Sequence, residues 1–141
     1  MVAAVRPTKG KMPRQLAAHA DYFDKITAVP QRVNQTAEAA LGTGTAITLT
    51  GANLAGQLMS GNPGSAATYT LPTGTNMDAA LDLGVNEAFD CSIVGFGAGG
   101  ITVATATGWT LVGSMAIAAG VSGRFRVRKT AAATFTLYRL A

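Results

Sequence analysis

Hydrophobic and polar residues alternate with a period of two over most of the chain that follows Gly42. In residues 45–50, Ile47 and Leu49 fall on one face and threonines on the other, as in a half-buried strand. Glycine, proline and asparagine separate the alternating segments, which is typical of turns. Eight short strands predict an all-β domain, as a compact sandwich, jelly-roll or tulip-like fold. The other seven strands are predicted at 68–71, 89–94, 101–104, 109–112, 115–118, 122–129 and 133–140.

One short helix is predicted to interrupt these strands. Thr75 has the side chain of an N-cap residue, and Asp78 follows three positions later, as in a capping box. Small and apolar residues form one face of the segment, and Gly84 is expected to end it. The sequence therefore places a single helical turn or two between the second and third predicted strands.

The pattern is helical before Gly42. Apolar residues spaced three and four apart predict an amphipathic helix over residues 14–26. A second helical piece is predicted over residues 31–41, with Gly42 at its C-terminal cap and Pro30 separating it from the first.

A change in composition accompanies this change in period. Of the 17 glycines, 16 lie at or after Gly42. Residues 1–12 show no periodicity and are expected to form an extended or mobile arm. We therefore divide the chain into an N-terminal arm with one or two helices, residues 1–42, and a β-domain, residues 43–141. A length of 141 residues suits one domain of ordinary size.

Charged residues make up 13% of the chain, well below the usual share of roughly 25%. They fall in blocks: residues 1–32 carry a net charge of +4, residues 33–123 carry −5, and residues 124–141 carry +5. A mean hydropathy of +0.27 argues against wholesale disorder. The long uncharged middle, with few large apolar residues, predicts a thin core that gains from burial between copies of the chain.

Residues 91–123 lack any charged side chain, but their glycines and threonines interrupt the apolar residues too often for a membrane helix. No membrane partner is expected. The N-terminus lacks the continuous apolar stretch of a secretory signal, so export by a signal peptide is not expected either. The single cysteine, Cys91, cannot close a disulfide within the chain and is predicted to be a core residue.

Residues 95–100 match the glycine pattern of dinucleotide-binding loops. The residues that follow are β formers where that loop needs a helix, and no acidic residue exists after Asp90 to bind the ribose. We therefore interpret the segment as a hairpin turn and expect no cofactor.

Catalytic and metal-binding residue types are scarce. His19 is the only histidine, and pairing it with Cys91 would not make a metal site by itself. The acidic cluster shows no calcium-loop spacing and is expected to cap the short helix and to keep its outer face solvated. These residues do not assemble a nucleophile, a base and an orienting group, so an enzyme is not expected. The cluster consists of Asp78, Asp82, Glu87 and Asp90.

The segment Arg124–Phe–Arg126–Val–Arg128 is the most informative local pattern. A period of two places the three guanidinium groups on one face of a strand and turns Phe125 and Val127 to the other. The face is either simply solvated or binds an anionic partner, protein or nucleic acid, which arginine contacts through two hydrogen bonds. Only 6% of the residues are aromatic, so the stacking surface of a nucleic-acid reader is not expected.

The C-terminal half resembles head decoration (cement) and head-fibre proteins of tailed bacteriophages. The resemblance rests on LPTGTNMDAAL at 71–81, FDCSIV at 89–94, TGWTLVG at 107–113, AAGVSGRFRVRK at 118–129 and FTLYRLA at 135–141. It implies a β-rich homotrimer on the outer surface of the virion capsid, in contact with the major capsid protein and present in the host cytoplasm during assembly. It implies no catalytic residues.

Two functions are favoured by the sequence, and a nucleic-acid binder that uses the two basic blocks is a third hypothesis, whose affinity should fall steeply with salt. The first is a viral structural role, as a capsid decoration protein that binds the outer head surface as a trimer and bridges capsomers. The alternative is an adhesion module of a tail or head fibre that binds host surface glycans. For the first, the expected capsid-binding residues are Arg6, Lys9, Lys11 and Arg14 in the arm and Arg124, Arg126 and Arg128 in the β-domain.

Overall fold

A computed structural model describes residues 37–141, which form ten strands and two short helices. The helices are α1 (Gly51–Ala55) and α2 (Gly74–Ala80). The strands are β1 (Ala39–Ala40), β2 (Ala46–Thr48), β3 (Leu58–Gly61), β4 (Ala67–Thr70), β5 (Ala88–Gly95), β6 (Ile101–Ala104), β7 (Trp109–Val112), β8 (Ala116–Ile117), β9 (Ser122–Ala131) and β10 (Thr134–Arg139).

The strands form two mixed sheets. The first sheet has six strands in the order β1-β3-β5-β9-β10-β7, and the second has four in the order β2-β4-β6-β8. From β1 to β6 the chain alternates between the sheets, and within each sheet these strands are parallel. Each successive turn of chain therefore stacks on the preceding one, as in a β-solenoid. The predicted all-β class is confirmed, and the two sheets are compatible with a sandwich.

The parallel winding gives the β-domain two distinct ends. The carboxyl ends of β1, β3 and β5 lie together, and residues 41–45, 62–66 and 96–100 lead from them to the second sheet. We call this the loop end. The chain returns at the opposite end, the helical end, through α1, α2 and residues 105–108. Features at the two ends are therefore separated by the length of the strands.

The core lies between the two sheets and receives side chains from both. Phe125 and Val127 of β9 are fully buried, as are Ile101 and Val103 of β6. Cys91 and Ile93 point inward as predicted, and Phe89 packs against the core while remaining half-buried. Trp109 stacks on Phe135 with ring centroids 5.1 Å apart and donates its indole N–H to the carbonyl of Pro72 at 2.6 Å.

Strand positions agree well with the alternation in the sequence. Two predicted strands match β6 and β7 in both bounds, and the other six overlap observed strands. The predicted helix at 31–41 is wrong in its described part, because Ala39 and Ala40 pair with β3 and Leu41 donates to the carbonyl of Ser60 at 2.7 Å. Gly42 lies in a turn at φ 71° and caps no helix. The predicted helix at 14–26 and the arm at 1–12 lie outside the described residues.

Both helices begin at threonine caps. The cap of α2 is Thr73, whose hydroxyl accepts from the backbone N–H of Asn76 at 3.3 Å, so the prediction of Thr75 as the cap is wrong. The helix ends at Ala80 with Leu81 as its C-cap, so the prediction that Gly84 ends it is wrong. The unpredicted α1 begins at Thr50, which forms a reciprocal capping box with Asn53.

Tyr69 provides a test of core packing. Its side chain is fully buried, its hydroxyl has no hydrogen-bond partner in the described structure, and burial raises the pKa of the phenol. A Cβ atom on Gly61 would lie 2.0 Å from that hydroxyl, so the glycine makes room for it. Removing an unsatisfied buried hydroxyl relieves its desolvation.

We expect Tyr69→Phe to leave the free energy of unfolding unchanged or to raise it by up to about 1 kcal/mol, as measured by urea denaturation. Tyr138→Phe, at a half-buried tyrosine on β10, is the matched control and should change it little. A loss of more than about 1 kcal/mol for Tyr69→Phe would mean that the hydroxyl is hydrogen-bonded.

Candidate partner-binding surface

The three arginines of β9 form a row on the outer face of the first sheet, which we call the arginine ladder (Arg124, Arg126 and Arg128). The side chains of Arg124 and Arg126 are 62% and 52% exposed, whereas the alternating Phe125 and Val127 are fully buried. The predicted division of this strand into a basic outer face and an apolar inner face is therefore confirmed.

Two arginines of the ladder bind the same carboxylate. Arg126 lies directly opposite Asp90 of β5 and binds it through two hydrogen bonds, Nε to Oδ1 at 2.7 Å and Nη2 to Oδ2 at 3.1 Å. Arg124 donates Nη2 to Oδ2 at 3.0 Å. Hydrogen bonding from Arg126 first, and from Arg124 second, holds the pKa of Asp90 below its ordinary value, and Asp90 raises the pKa of Arg126. Both guanidinium groups are thereby held in fixed orientations.

Arg128 has a different environment. It donates Nη2 to the side-chain oxygen of Asn86 at 2.7 Å, and no carboxylate of the described residues lies within ion-pair distance of it. Asn86 is itself fixed, since its backbone is at φ 72° and its N–H donates to the carbonyl of Lys129 at 2.8 Å. Three arginines against one aspartate leave the ladder with a net charge of +2, of which one charge lies on Arg128 and one on the group formed by Arg124, Arg126 and Asp90.

The acidic cluster does not cap the helix, and that prediction is wrong. Asp78 accepts hydrogen bonds from Lys129 Nζ and from the backbone N–H of Ala133, the latter at 3.0 Å. These contacts join α2 to the turn between β9 and β10. The hydrogen bond from Lys129 is the main reason that the pKa of Asp78 is lowered. Glu87 accepts from the backbone N–H of Gly84 at 2.7 Å, while Asp82 is exposed.

The predicted hairpin turn at residues 95–100 is wrong, because β5 and β6 belong to different sheets. It crosses from one sheet to the other, lying directly on residues 62–66. A Cβ on Gly97 would lie 2.0 Å from the Pro63 carbonyl oxygen, and one on Gly99 would lie 1.9 Å from the Ser65 carbonyl oxygen. The glycines therefore permit backbone stacking. Phe96, which precedes Gly97, is 66% exposed.

An apolar pocket of about 490 Å³ lies at the helical end, beyond the carboxyl ends of β2 and β4. Leu49, Leu71 and Pro72 are buried residues at its base, and the residues that line it include no charged side chain. No pattern in the sequence indicates this pocket, because it is formed by segments that are brought together only by the stacking of successive turns.

The sequence singled out two other residues, Cys91 and His19, and the described part of the chain includes only Cys91. Cys91 is buried in the core, which raises the pKa of its thiol to about 12, so the thiol is protonated at neutral pH. His19 lies outside the described residues. So do four of the expected capsid-binding residues: Arg6, Lys9, Lys11 and Arg14.

The ion pair of Asp90 predicts an acid-dependent loss of stability. Because the pKa of Asp90 is lowered in the folded state, its stabilising contribution is present above its ordinary pKa of 3.8 and is lost as the pH falls through the folded value. We expect Asp90→Asn to lower the melting temperature at pH 7 by roughly 2–4 °C, and the difference from wild type to vanish near pH 2.

The control is Asp82→Asn, at an exposed aspartate without an ion pair among the described residues. Its melting temperature should stay close to that of wild type at both pH values. Equal melting curves for wild type and Asp90→Asn at pH 7 would contradict a stabilising role for this carboxylate.

Among residues 37–141, no group of three or more histidine, cysteine, aspartate or glutamate side chains could hold a metal ion. No helix in this part of the chain is long and apolar enough to cross a membrane. Comparisons with protein-family models, with curated proteins and with solved structures give no match to this chain.

Proposed function

We propose that the chain is a capsid decoration (cement) protein of a tailed bacteriophage. In this role it binds the outer surface of the head as a homotrimer, contacts the major capsid protein and stabilises the shell by bridging capsomers. It is a binding protein without catalytic activity. The observation that carries the proposal is the arginine ladder, a cationic row of net charge +2 in which Arg124 and Arg126 are exposed and Arg128 is half-buried, together with the resemblance of residues 71–141 to virion proteins of this class.

The distribution of charge supports a binding role for the ladder. Residues 37–141 contain five acidic and five basic side chains and carry no net charge. The formal charge of +4 therefore belongs to residues 1–36, and the ladder holds three of the five basic residues of the β-domain. Basic groups concentrated in this way attract an acidic partner surface and orient it on approach.

The second sheet supports association between copies. Its four strands lie in stretches without any charged residue, and small side chains such as Thr68, Thr102 and Ala116 form a row across its exposed face. Covering such a surface desolvates no charge, and interface cores are depleted in charged residues. A self-associating protein with its cationic groups on the other sheet can assemble and bind an acidic shell at the same time.

Binding to purified expanded heads, measured by co-sedimentation, tests the proposal. We expect the protein to bind heads and not free capsid subunits. Arg128→Gln should weaken binding about tenfold, since it removes a charge-assisted contact. Asp90→Asn should strengthen binding, because it frees Arg124 and Arg126 for partner carboxylates. Arg128→Lys, which keeps the charge, is the matched control and should retain more affinity than the glutamine variant.

Deleting residues 1–14 should also weaken binding while leaving the oligomer intact. Affinity for heads that is unchanged in both Arg128→Gln and the deletion variant would contradict the proposed binding surfaces. DNA binding that falls steeply with salt, in place of head binding, would indicate a nucleic-acid-binding protein instead.

A further inference from the structure

The outer face of the first sheet continues beyond the arginine ladder onto β10 and β7. Tyr138 of β10 lies directly opposite Arg126, and Val112 of β7 lies directly opposite Tyr138. Directly opposite residues of neighbouring strands point to the same face of a sheet. Since Asp90 lies on the other side of Arg126, one row crosses four strands and changes from a carboxylate and a guanidinium group to a phenol and an aliphatic side chain.

Leu140 extends the apolar side of this face. It follows Tyr138 by two positions, so it points the same way, and its backbone N–H donates to the carbonyl of Arg124 at 2.8 Å. Val112 is 45% exposed, Leu140 is 44% exposed and Tyr138 is half-buried. We call these three residues the apolar patch. Exposed aliphatic side chains that lie together, beside charged groups, are typical of an interaction surface.

The patch and the ladder form one continuous surface on regular strands. Neighbouring strands lie about 4.8 Å apart, so Val112 on β7 is roughly 10 Å from Arg126 on β9, two strands away. Asp90 holds the guanidinium groups of Arg124 and Arg126 in place. A partner that binds here therefore meets a surface that is largely ordered already, which lowers the entropy lost on binding.

The two halves of this surface require different contacts. The ladder carries a net charge of +2, and Arg128 has no ion-pair partner among the described residues, so this half suits carboxylates or phosphates. The patch suits apolar side chains. Interfaces with nucleic acids are more polar than those between proteins, whereas tyrosine and arginine are both enriched at protein–protein interfaces. The combination favours a protein partner with an acidic surface.

The chain itself offers less charge complementarity than such a partner. Residues 1–36 contain six basic and two acidic side chains, so their net charge has the same sign as that of the ladder. The β-domain of a second copy has equal numbers of acidic and basic side chains, and two of its carboxylates, Asp78 and Asp90, are already ion-paired. An acidic surface of a different protein complements the ladder better than either.

We infer that this face binds an acidic protein surface on which carboxylates lie beside exposed apolar side chains. The carboxylates bind the ladder, and the apolar side chains cover the patch. Apolar contact next to the ion pairs excludes water from them, which strengthens the pairing. The inference rests on the proposed function, and it specifies the chemistry of the site on the shell that the β-domain recognises.

Binding to purified expanded heads at two salt concentrations tests the apolar half. The double variant Val112→Ala, Leu140→Ala should bind about tenfold more weakly than wild type in both about 0.1 M and about 0.5 M NaCl, because salt does not screen an apolar contact. The loss caused by Arg128→Gln should shrink at the higher salt concentration. The matched control is Phe96→Ala, Val121→Ala, which truncates two exposed apolar residues at the loop end and should bind like wild type.

A titration followed by NMR tests the same surface without heads. The probe for the isotope-labelled full chain is a peptide of three Asp-Ser-Leu-Ser repeats, in which aspartate and leucine share one face when the peptide is extended. We expect it to shift the amide signals of Arg126, Tyr138 and Val112. A peptide with serine in place of leucine should shift them less, and one with lysine in place of aspartate should leave them unchanged.

Head binding by the double alanine variant that equals wild type, while Arg128→Gln binds weakly, would overturn the inference and leave the proposed function in place. Equal shifts with the leucine and serine peptides, or shifts confined to other parts of the chain, would overturn it too. An oligomer that Arg128→Gln dissociates would identify a second copy as the occupant and also overturn it. A wild-type protein that shows the expected peptide shifts but does not bind heads would overturn the proposed function alone. Circular dichroism verifies that each variant is folded.

Discussion

Replacing Gly99 by alanine is expected to lower the free energy of unfolding by about 3 kcal/mol. A Cβ at this position would lie 1.9 Å from the carbonyl oxygen of Ser65 and 2.2 Å from its carbonyl carbon. Both atoms belong to backbone, so no rotation of a side chain relieves the overlap. The loop at 96–100 would have to lift away from residues 62–66, which separates two stacked turns of the winding.

The matched control is Gly64→Ala, in the loop on which Gly99 rests. No atom lies within 4 Å of a Cβ built on Gly64, and its backbone is not in the left-handed region. Alanine there should leave stability unchanged or raise it by roughly 0.5 kcal/mol, through the lower entropy of the unfolded chain. Urea denaturation of both variants gives the comparison. Equal midpoints for the two would show that the close stacking of the loops contributes nothing to stability.

The sequence predicts strand positions well where one face of the strand is buried and the other is solvated. Alternation at 101–104 and 109–112 gives the bounds of β6 and β7. β3 was missed because it does not alternate: Met59, Ser60 and Gly61 are all buried. β1 was missed because its two alanines fit a helical pattern equally well and form a strand only by pairing with β3.

Which strands pair could not be predicted from local patterns. Met59 pairs in parallel with Ile93, 34 positions later, and no short-range signal specifies such a contact. The contacts of the candidate binding surface could not be predicted for the same reason, since they join residues that are far apart in the sequence. The period of two places the three arginines on one face of their strand. Their contact with Asp90, however, depends on the pairing of β5 with β9. Asp78 has the spacing of a capping residue and instead binds Lys129, because the fold brings the β9–β10 turn beside α2.

Phe125→Ala is expected to have the largest effect on stability, a loss of about 4 kcal/mol. The ring is fully buried at the centre of the first sheet, opposite Cys91 on β5 and Arg139 on β10. The guanidinium carbon of Arg139 lies 5.0 Å from the ring centroid. Truncation therefore leaves a cavity and also removes the aromatic face on which this cation rests. Such a loss is a large part of the roughly 5–15 kcal/mol that stabilises an ordinary domain.

Phe96→Ala is the same chemical change at a ring that is 66% exposed. Measured at a protein concentration where the copies are dissociated, it should alter the free energy of unfolding by less than about 0.5 kcal/mol. Equal losses for Phe125→Ala and Phe96→Ala in dilute solution would contradict the assignment of one ring to the core and the other to the exposed surface. The pair of variants thus separates the effect of a buried aromatic ring on stability from the effect of an exposed one.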